Sequence, residues 1–281
     1  MPPRTHDSVA TSPQSRHSAS APSLTVRRFG QSTLFRELLL PLIVIASFTW
    51  ILCNGGWDRA VAQAAFGSAT QPWPVGNTGI WEVLYDLGPM PGILVAVAAL
   101  FALLLSPWLR PLRRWIRPAL FLVLVMLLGP GLLINGVLKP EWARPRPRQL
   151  VEFGGTESYR SAWQPMDKAP GRKSFPSGHA SIGFYLMAPY FLRWQRGLVN
   201  RLWLIGGIGA GILIGLARIF QGAHFVTDIL WSGTLVYATG WVVARFILPE
   251  RLIQAEQTPG ATTTSPPVAL PVPSANALRT D

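Results

Sequence analysis

The sequence predicts an all-α protein: a polytopic membrane bundle of about six transmembrane helices. Three observations support this. Of the 281 residues, 49% are apolar and only 14% charged. The apolar residues gather into long runs instead of alternating, and those runs approach the ~20 residues that a helix needs to cross a bilayer. Residues 1–33 and 251–281 are Ser/Thr/Pro-rich and aperiodic, so they are expected to be disordered tails around one membrane domain, residues 34–250.

The first expected span, Leu34 to Cys53, follows Arg27-Arg28-Phe29 but ends without a small-residue cleavage site, so it is read as a retained anchor. Its Cys53 is the single cysteine, read as a small buried apolar residue. The second span is Gly88 to Leu105 and the third Pro118 to Leu138. The fourth, His179 to Leu192, and the fifth, Leu202 to Ala217, are short and need tilt or a flanking Arg that reaches the interface. On the fifth, Gly207, Gly211 and Gly215 recur every four residues, a spacing that lets helix backbones approach closely in lipid. The sixth runs from Phe225 to Leu248. Trp57, Trp73, Trp81, Trp108 and Trp115 fall near the span ends and suit an interfacial aromatic belt.

Loop charge sets the orientation. Arg4, Arg16, Arg27, Arg28 and Arg36, then Arg110, Arg113, Arg114 and Arg117, then Arg193, Arg196 and Arg201 mark cytoplasmic segments. The first external loop holds Asp58, Glu82 and Asp86 against Arg59. Both termini are then cytoplasmic. One external loop breaks the pattern: Lys139, Arg144, Arg146, Arg148, Arg160, Lys168, Arg172 and Lys173 outnumber Glu141, Glu152, Glu157 and Asp167. A bound anion accounts for that excess, because Lys and Arg are the usual partners of phosphate oxygens. Lipid head-group contact is the alternative.

Three segments carry chemistry, and all fall on the same predicted face. In Lys139-Pro-Glu-Trp-Ala-Arg144-Pro-Arg146-Pro147-Arg148, cations alternate with prolines that keep the chain extended. Lys139 offers a point charge and Arg146 a planar fork for two oxygens. Pro176-Ser177-Gly178-His179 reads as a capped helix start, where free N–H groups and the Ser177 hydroxyl meet an anion and His179 stands ready to give a proton. His224 and Asp228 are four apart, so on a helix they share a face; the carboxylate would fix the imidazole tautomer and leave the other nitrogen free to attack. Arg218 precedes them and can neutralise charge on phosphoryl oxygens. A His/Asp metal pair is the competing reading, but no further ligands lie nearby in sequence.

These residues resemble the type 2 phosphatidic acid phosphatase superfamily. Its signature is Lys, six residues, Arg-Pro; Pro-Ser-Gly-His; and Ser-Arg, five residues, His, three residues, Asp. Lys139 to Pro147, Pro176 to His179, and Arg218 to Asp228 match in order and spacing, except that Ala217 stands where the family has Ser. The resemblance implies that His224 attacks phosphorus to form a phosphohistidine, with Asp228 holding it and His179 protonating the leaving group. Lys139, Arg146, Ser177, Gly178 and Arg218 would cradle the phosphoryl group, with no metal or other cofactor. The implied protein is a multi-pass enzyme of the bacterial cytoplasmic (inner) membrane with its site facing the periplasm or exterior.

The expected partner is a membrane lipid substrate, with no nucleic acid. Candidates are lipid A, phosphatidylglycerophosphate, phosphatidic acid and undecaprenyl diphosphate. A lipid phosphotransferase using the same intermediate, and a non-catalytic lipid-anion transporter, are the alternatives. The shortage of ionisable residues deep in the spans argues against transport. Arg144, Arg148 and Arg172 stand as possible replacements for the hydroxyl missing at Ala217.

Overall fold

The computed structural model describes residues 31–167, 171–192 and 198–248. The tails, residues 1–30 and 249–281, and the cations Lys168, Arg193 and Arg196 lie outside the described residues. Among those described, helices carry the architecture; a single β-bridge, Leu150 to Glu157, is the sole strand-like pairing.

Helix α1 occupies residues 31–54, a few residues ahead of the expected start at Leu34, and widens to a π-helix over Phe35–Leu39. Two short helices follow, α2 (Trp57–Ala65) and α3 (Gly79–Asp86). Next comes α4 (Met90–Leu105), with Pro91 in its first turn, where a missing N–H leaves no helical carbonyl unpaired. A 3₁₀ turn, Arg110–Trp115, leads into α5, residues 116–142, whose middle, Leu127–Leu138, is π-helical. Helix α6 (Gly178–Phe184) continues as a 3₁₀ segment, Tyr185–Leu192. The last two helices are α7 (Leu198–Phe220) and α8 (Val226–Ile247).

Among the described residues, helix lies along each of the six expected stretches. Four stretches are long and apolar enough to cross a membrane: Ser32–Asn54, Gly79–Leu105, Arg110–Gln149 and Leu198–Phe220. The α6 rod is short, and α8, though 22 residues long, is interrupted by Thr227, Asp228, Ser232, Thr234, Thr239 and Arg245. Outward-facing positions are themselves apolar: Ile43, Trp50, Leu94, Phe101, Leu104 and Ile205 are all exposed. In water such a surface would be costly; against lipid tails it is not.

The interior is packed by Phe121, Val125, Ile134, Phe184, Tyr185, Phe191 and Val236. The glycine ridge of α7 does what its spacing predicts. A Cβ on Gly207 would lie 2.3 Å from the Met187 backbone, one on Gly211 2.3 Å from the Phe184 ring, and one on Gly215 2.4 Å from Ile229. Backbone thus meets backbone where α7 crosses the α6 rod. At one end of α8, Arg245 pairs with Glu37 of α1 at 2.5 Å, and Trp241 Nε1 donates to the same carboxylate.

The aromatic belt holds only in part. Trp57, Trp108 and Trp115 are exposed, and Trp81 packs on Phe220, but Trp73 is buried against Phe66 and Phe153. Cys53 is half-buried, with its thiol 3.9 Å from Asp58 Oδ2.

The glycine contacts yield a paired prediction. Gly207→Ala must push α7 off the Met187 backbone and should lower stability by about 1–3 kcal/mol. Gly206→Ala and Gly209→Ala, which meet nothing within 4 Å, should be neutral or slightly stabilising because Ala favours helix. Thermal unfolding in one detergent compares the three, and equal loss at all three positions would contradict the packing role.

Candidate active site

Helix α8 starts against a ring of polar groups. Asp228, in its first turn, accepts the Phe225 backbone N–H at 2.8 Å and the Ser174 hydroxyl at 2.6 Å, both through Oδ2. His224 Nδ1 faces that same oxygen at 3.6 Å, just beyond hydrogen-bond reach, and has no other protein partner. The expected helical face is not how the pair forms. His224 precedes the helix, in the turn after α7, and the carboxylate reaches back to it as it caps α8.

That turn is fixed by packing. Gly222 has φ 60°, and a Cβ there would lie 2.2 Å from the Trp73 ring. Its carbonyl accepts the Arg148 N–H at 2.9 Å, so the Arg146-Pro147 strip is stitched to the residue two before His224. His224 is almost wholly buried. Burial pushes its imidazole down to about 4, with Arg218 and Lys139 adding to the effect and Asp228 opposing it. The ring is therefore neutral at physiological pH, as a nitrogen nucleophile must be.

Lys139 arrives from the end of α5. The chain there is helical through Trp142 and turns at Ala143, whose φ is 46°, so the extended strip expected from the prolines begins only after this residue. Asn135, one turn before Lys139, donates to the Pro130 carbonyl at 2.7 Å and accepts Lys139 Nζ at 3.1 Å. Gly178 leaves the room for this: a Cβ on it would lie 2.5 Å from Asn135 Oδ1 and 2.9 Å from Lys139 Nζ. Ser177 caps α6, its Oγ accepting the Ala180 N–H, while its own N–H donates to Ser232. The hydroxyl expected to meet an anion is thus buried as a helix cap.

His179 sits in the first turn of α6, stacked on Tyr85 with ring centroids 4.9 Å apart. The Arg218 guanidinium lies over the same ring at 4.5 Å and donates to Gln221, whose amide in turn donates to the Gly76 carbonyl. Burial first, and then the cations Arg218, Lys139 and Arg146, push the His179 imidazole down to about 4. The structure therefore brings together every residue singled out in the three segments. Two buried donors in this group, Arg146 Nε and Arg218 Nε, have no protein partner. Buried N–H groups are normally paired, and two on guanidiniums call for an oxyanion. Among the described residues, no cluster of three His, Cys, Asp or Glu side chains has the makings of a metal site.

The replacements considered for the Ala217 hydroxyl divide. Arg172 is held by Glu157 at 2.9 and 3.0 Å. Arg144 is fully buried between Asp228 (2.5 Å) and Asp58 (2.9 Å), and it also donates to Thr227 and to the Arg160 carbonyl. Neither is free to meet an anion, whereas Arg148 is exposed beside the site. Asp58, counted from sequence as a loop charge, is an interior residue that accepts both the N–H and the hydroxyl of Thr227. The cationic excess of the 139–179 loop is thus partly met inside the protein, where Arg144 pairs with Asp58 and Asp228. Ala217 itself is fully buried.

Asp58, Tyr85, Asn135, Ser174 and Gln221 escaped the sequence reading. Asn135 had one signal, its place four residues before Lys139 on a helix. Gln221 lies three residues after Arg218 and three before His224, while Asp58, Tyr85 and Ser174 meet the site only through long-range contacts.

A family model described as the PAP2 superfamily matches residues 118–251. A protein of Francisella tularensis subsp. novicida named lipid A 4'-phosphatase is 31% identical over 206 residues, which cover 72% of this chain and 91% of that protein. A lipid A 4'-phosphatase of Rhizobium etli is 34% identical over 119 residues, 40% of this chain and 43% of its own length. A phosphatidylglycerophosphatase B of Bacillus subtilis is 31% identical over 123 residues, 41% of this chain and 51% of its own. No solved structure matches.

The cationic cluster packed around Gly178 yields a binding prediction. Gly178→Ala should displace Asn135 and Lys139 and weaken inorganic phosphate or vanadate binding about 10- to 100-fold, the loss of one charge-assisted contact. Isothermal titration in detergent measures it, and unchanged affinity would remove Lys139 from the cradle.

Proposed function

The chain belongs to the PAP2 superfamily and is a phosphatase, and we propose that it hydrolyses a lipid phosphate monoester at the external membrane surface through a phosphohistidine. The observation that carries this reading is the pair of unpartnered Arg Nε–H groups beside Lys139 and a neutral, buried His224. Together they suit the trigonal oxygens of a phosphoryl group in transfer.

In the proposed reaction, Nδ1 of His224 keeps its proton toward Asp228, and Nε2 attacks phosphorus as the ester oxygen departs. His179, whose imidazole regains a proton once the phosphoryl charge offsets Arg218, Lys139 and Arg146, gives that proton to the departing oxygen. It then takes one from water, whose oxygen bonds to phosphorus as the P–N bond breaks, so that inorganic phosphate leaves and His224 is restored. The phosphoryl charge is met by Lys139, Arg146 and Arg218, so the step is written without a metal. His179 stays aligned by its stack on Tyr85.

A lipid substrate follows from the setting: helices with apolar outer faces surround the cluster, and the named relatives act on membrane lipids. Lipid A, a phosphorylated disaccharide lipid, leads the proposal because the match to the Francisella protein spans most of both chains. Six crossings, with both termini cytoplasmic and the protein in a bacterial inner membrane, complete it. The Arg110, Arg113 and Arg114 turn starts α5 and Lys139 lies near its other end, about 30 Å away at the rise of a helix. Reading those arginines as cytoplasmic supports an external position for the cluster.

Phosphate release from lipid A, phosphatidylglycerophosphate, phosphatidic acid and undecaprenyl diphosphate, assayed with EDTA present, tests the function. Lipid A should be the best substrate, and His224→Ala should lose at least about 1,000-fold in rate. Rapid quench with labelled lipid should trap a base-stable, acid-labile phosphoramidate. Release by His224→Ala at the wild-type rate would overturn the mechanism.

A further inference from the structure

We propose that Arg144 is a positioning residue for the nucleophile: clamped between Asp58 and Asp228, it orients the Asp228 carboxylate so that Oδ2, not Oδ1, faces His224. The assignment rests on His224 acting as proposed above, but its geometry stands apart from any assay.

Asp228 has two oxygens, and the structure divides their work. Oδ1 is taken by Arg144 Nη1 at 2.5 Å. Oδ2 receives Ser174 and the Phe225 N–H and looks at His224 Nδ1. Without a strong donor on Oδ1 the carboxylate is held from one side only, by Ser174 and the Phe225 N–H. The uncompensated Oδ1 then competes for those donors and for His224, so the oxygen that selects the His224 tautomer is less firmly fixed. The guanidinium is itself immobile. Its other arm meets Asp58 Oδ2 at 2.9 Å, its Nε donates to the Arg160 carbonyl, and the Phe225 ring lies 4.2 Å from its centre. Asp58 is secured by Thr227, the neighbour of Asp228. Arg144, Asp58 and Asp228 are all fully buried and carry one net negative charge among them, so a change at any one is felt at His224 with little screening. Arg144 touches neither the unpartnered Nε groups nor His179, which separates its task from phosphate binding.

The charged groups around His224 fix the sign of the expected effects. Asp228 faces it from α8, Arg218 from α7 and Lys139 from α5. Behind Asp228 stand Arg144, Asp58, Tyr159 and the Cys53 thiol. Burial first, and then Asp58, push the Tyr159 phenol up, so it stays neutral. Removing the Arg144 cation favours imidazolium and moves its titration up; removing the Asp58 anion moves it down. Removing both restores the net charge.

Histidine-¹⁵N-labelled protein in micelles reads this directly, with His224 assigned by difference from His224→Gln. Wild type should carry its proton on Nδ1. Arg144→Gln should raise the His224 midpoint by about one pH unit and mix the tautomers. Asp58→Asn should lower the midpoint, and the double variant should return it toward wild type with the tautomers still mixed. Lipid phosphate turnover should lose kcat with KM held within about twofold, since the cradle is untouched. Should Arg144→Gln fail to fold, the near-isosteric Asp58→Asn and the charge-balanced double variant still give the sign. A purely structural role lowers folded yield and leaves midpoint and tautomer as in wild type; that result in all three variants overturns the proposal. Loss of the proposed function shows separately, as wild-type protein that releases no phosphate from any lipid.

Discussion

A buried carboxylate with no room to be wrong governs this molecule. Asp228 is removed from water at the end of an apolar bundle, where an unpaired charge is not tolerated. Its stability there depends on donors drawn from separate parts of the chain: Arg144 from the strip after α5, Ser174 from the loop before α6, and the N–H of Phe225 at its own helix start. Withdrawing one member of such a buried set costs about 3–5 kcal/mol. The three segments are thus locked together by the demand of one anion, and the cationic cradle forms around what that demand assembles.

The locking explains why the surrounding architecture is so economical in polar groups. Helix α8 uses Asp228 both as a cap and as the partner of His224, and Ser232 one turn later accepts the Ser177 N–H and donates to the Ser177 carbonyl. The start of α6 is therefore fastened to α8 through side chains as well as by packing. On the far side, glycines of α7 let the α6 rod approach so closely that Phe184 rests against backbone. Close contact at one level and hydrogen bonds at the other hold α6 at a set height.

Much of this was legible in the sequence, for identifiable reasons. Long apolar runs and their breaks located the helical rods because the period of burial in lipid is the whole segment, not one face. The spacing of Lys139, Arg146, His179, Arg218, His224 and Asp228 was readable because each motif is short in the chain, and the structure sets these residues near one another. What sequence hid was pairing at long range. Asp58 looked like a loop charge because nothing near it in the chain announces Arg144, 86 positions away. Arg144 itself looked like one more cation in a basic strip, and Tyr85 like an ordinary helix residue, though it carries both His179 and Arg218. The helical i, i+4 expectation for His224 and Asp228 had the right partners and the wrong geometry, since a cap and a face share the same spacing.

Gly222 has a consequence of its own. The turn that carries His224 is wedged beneath Trp73 and tied to Arg148, outside the helical rods. The position of the imidazole is therefore set by Trp73 and Arg148, from two loops distant in the chain, as well as by the ends of α7 and α8.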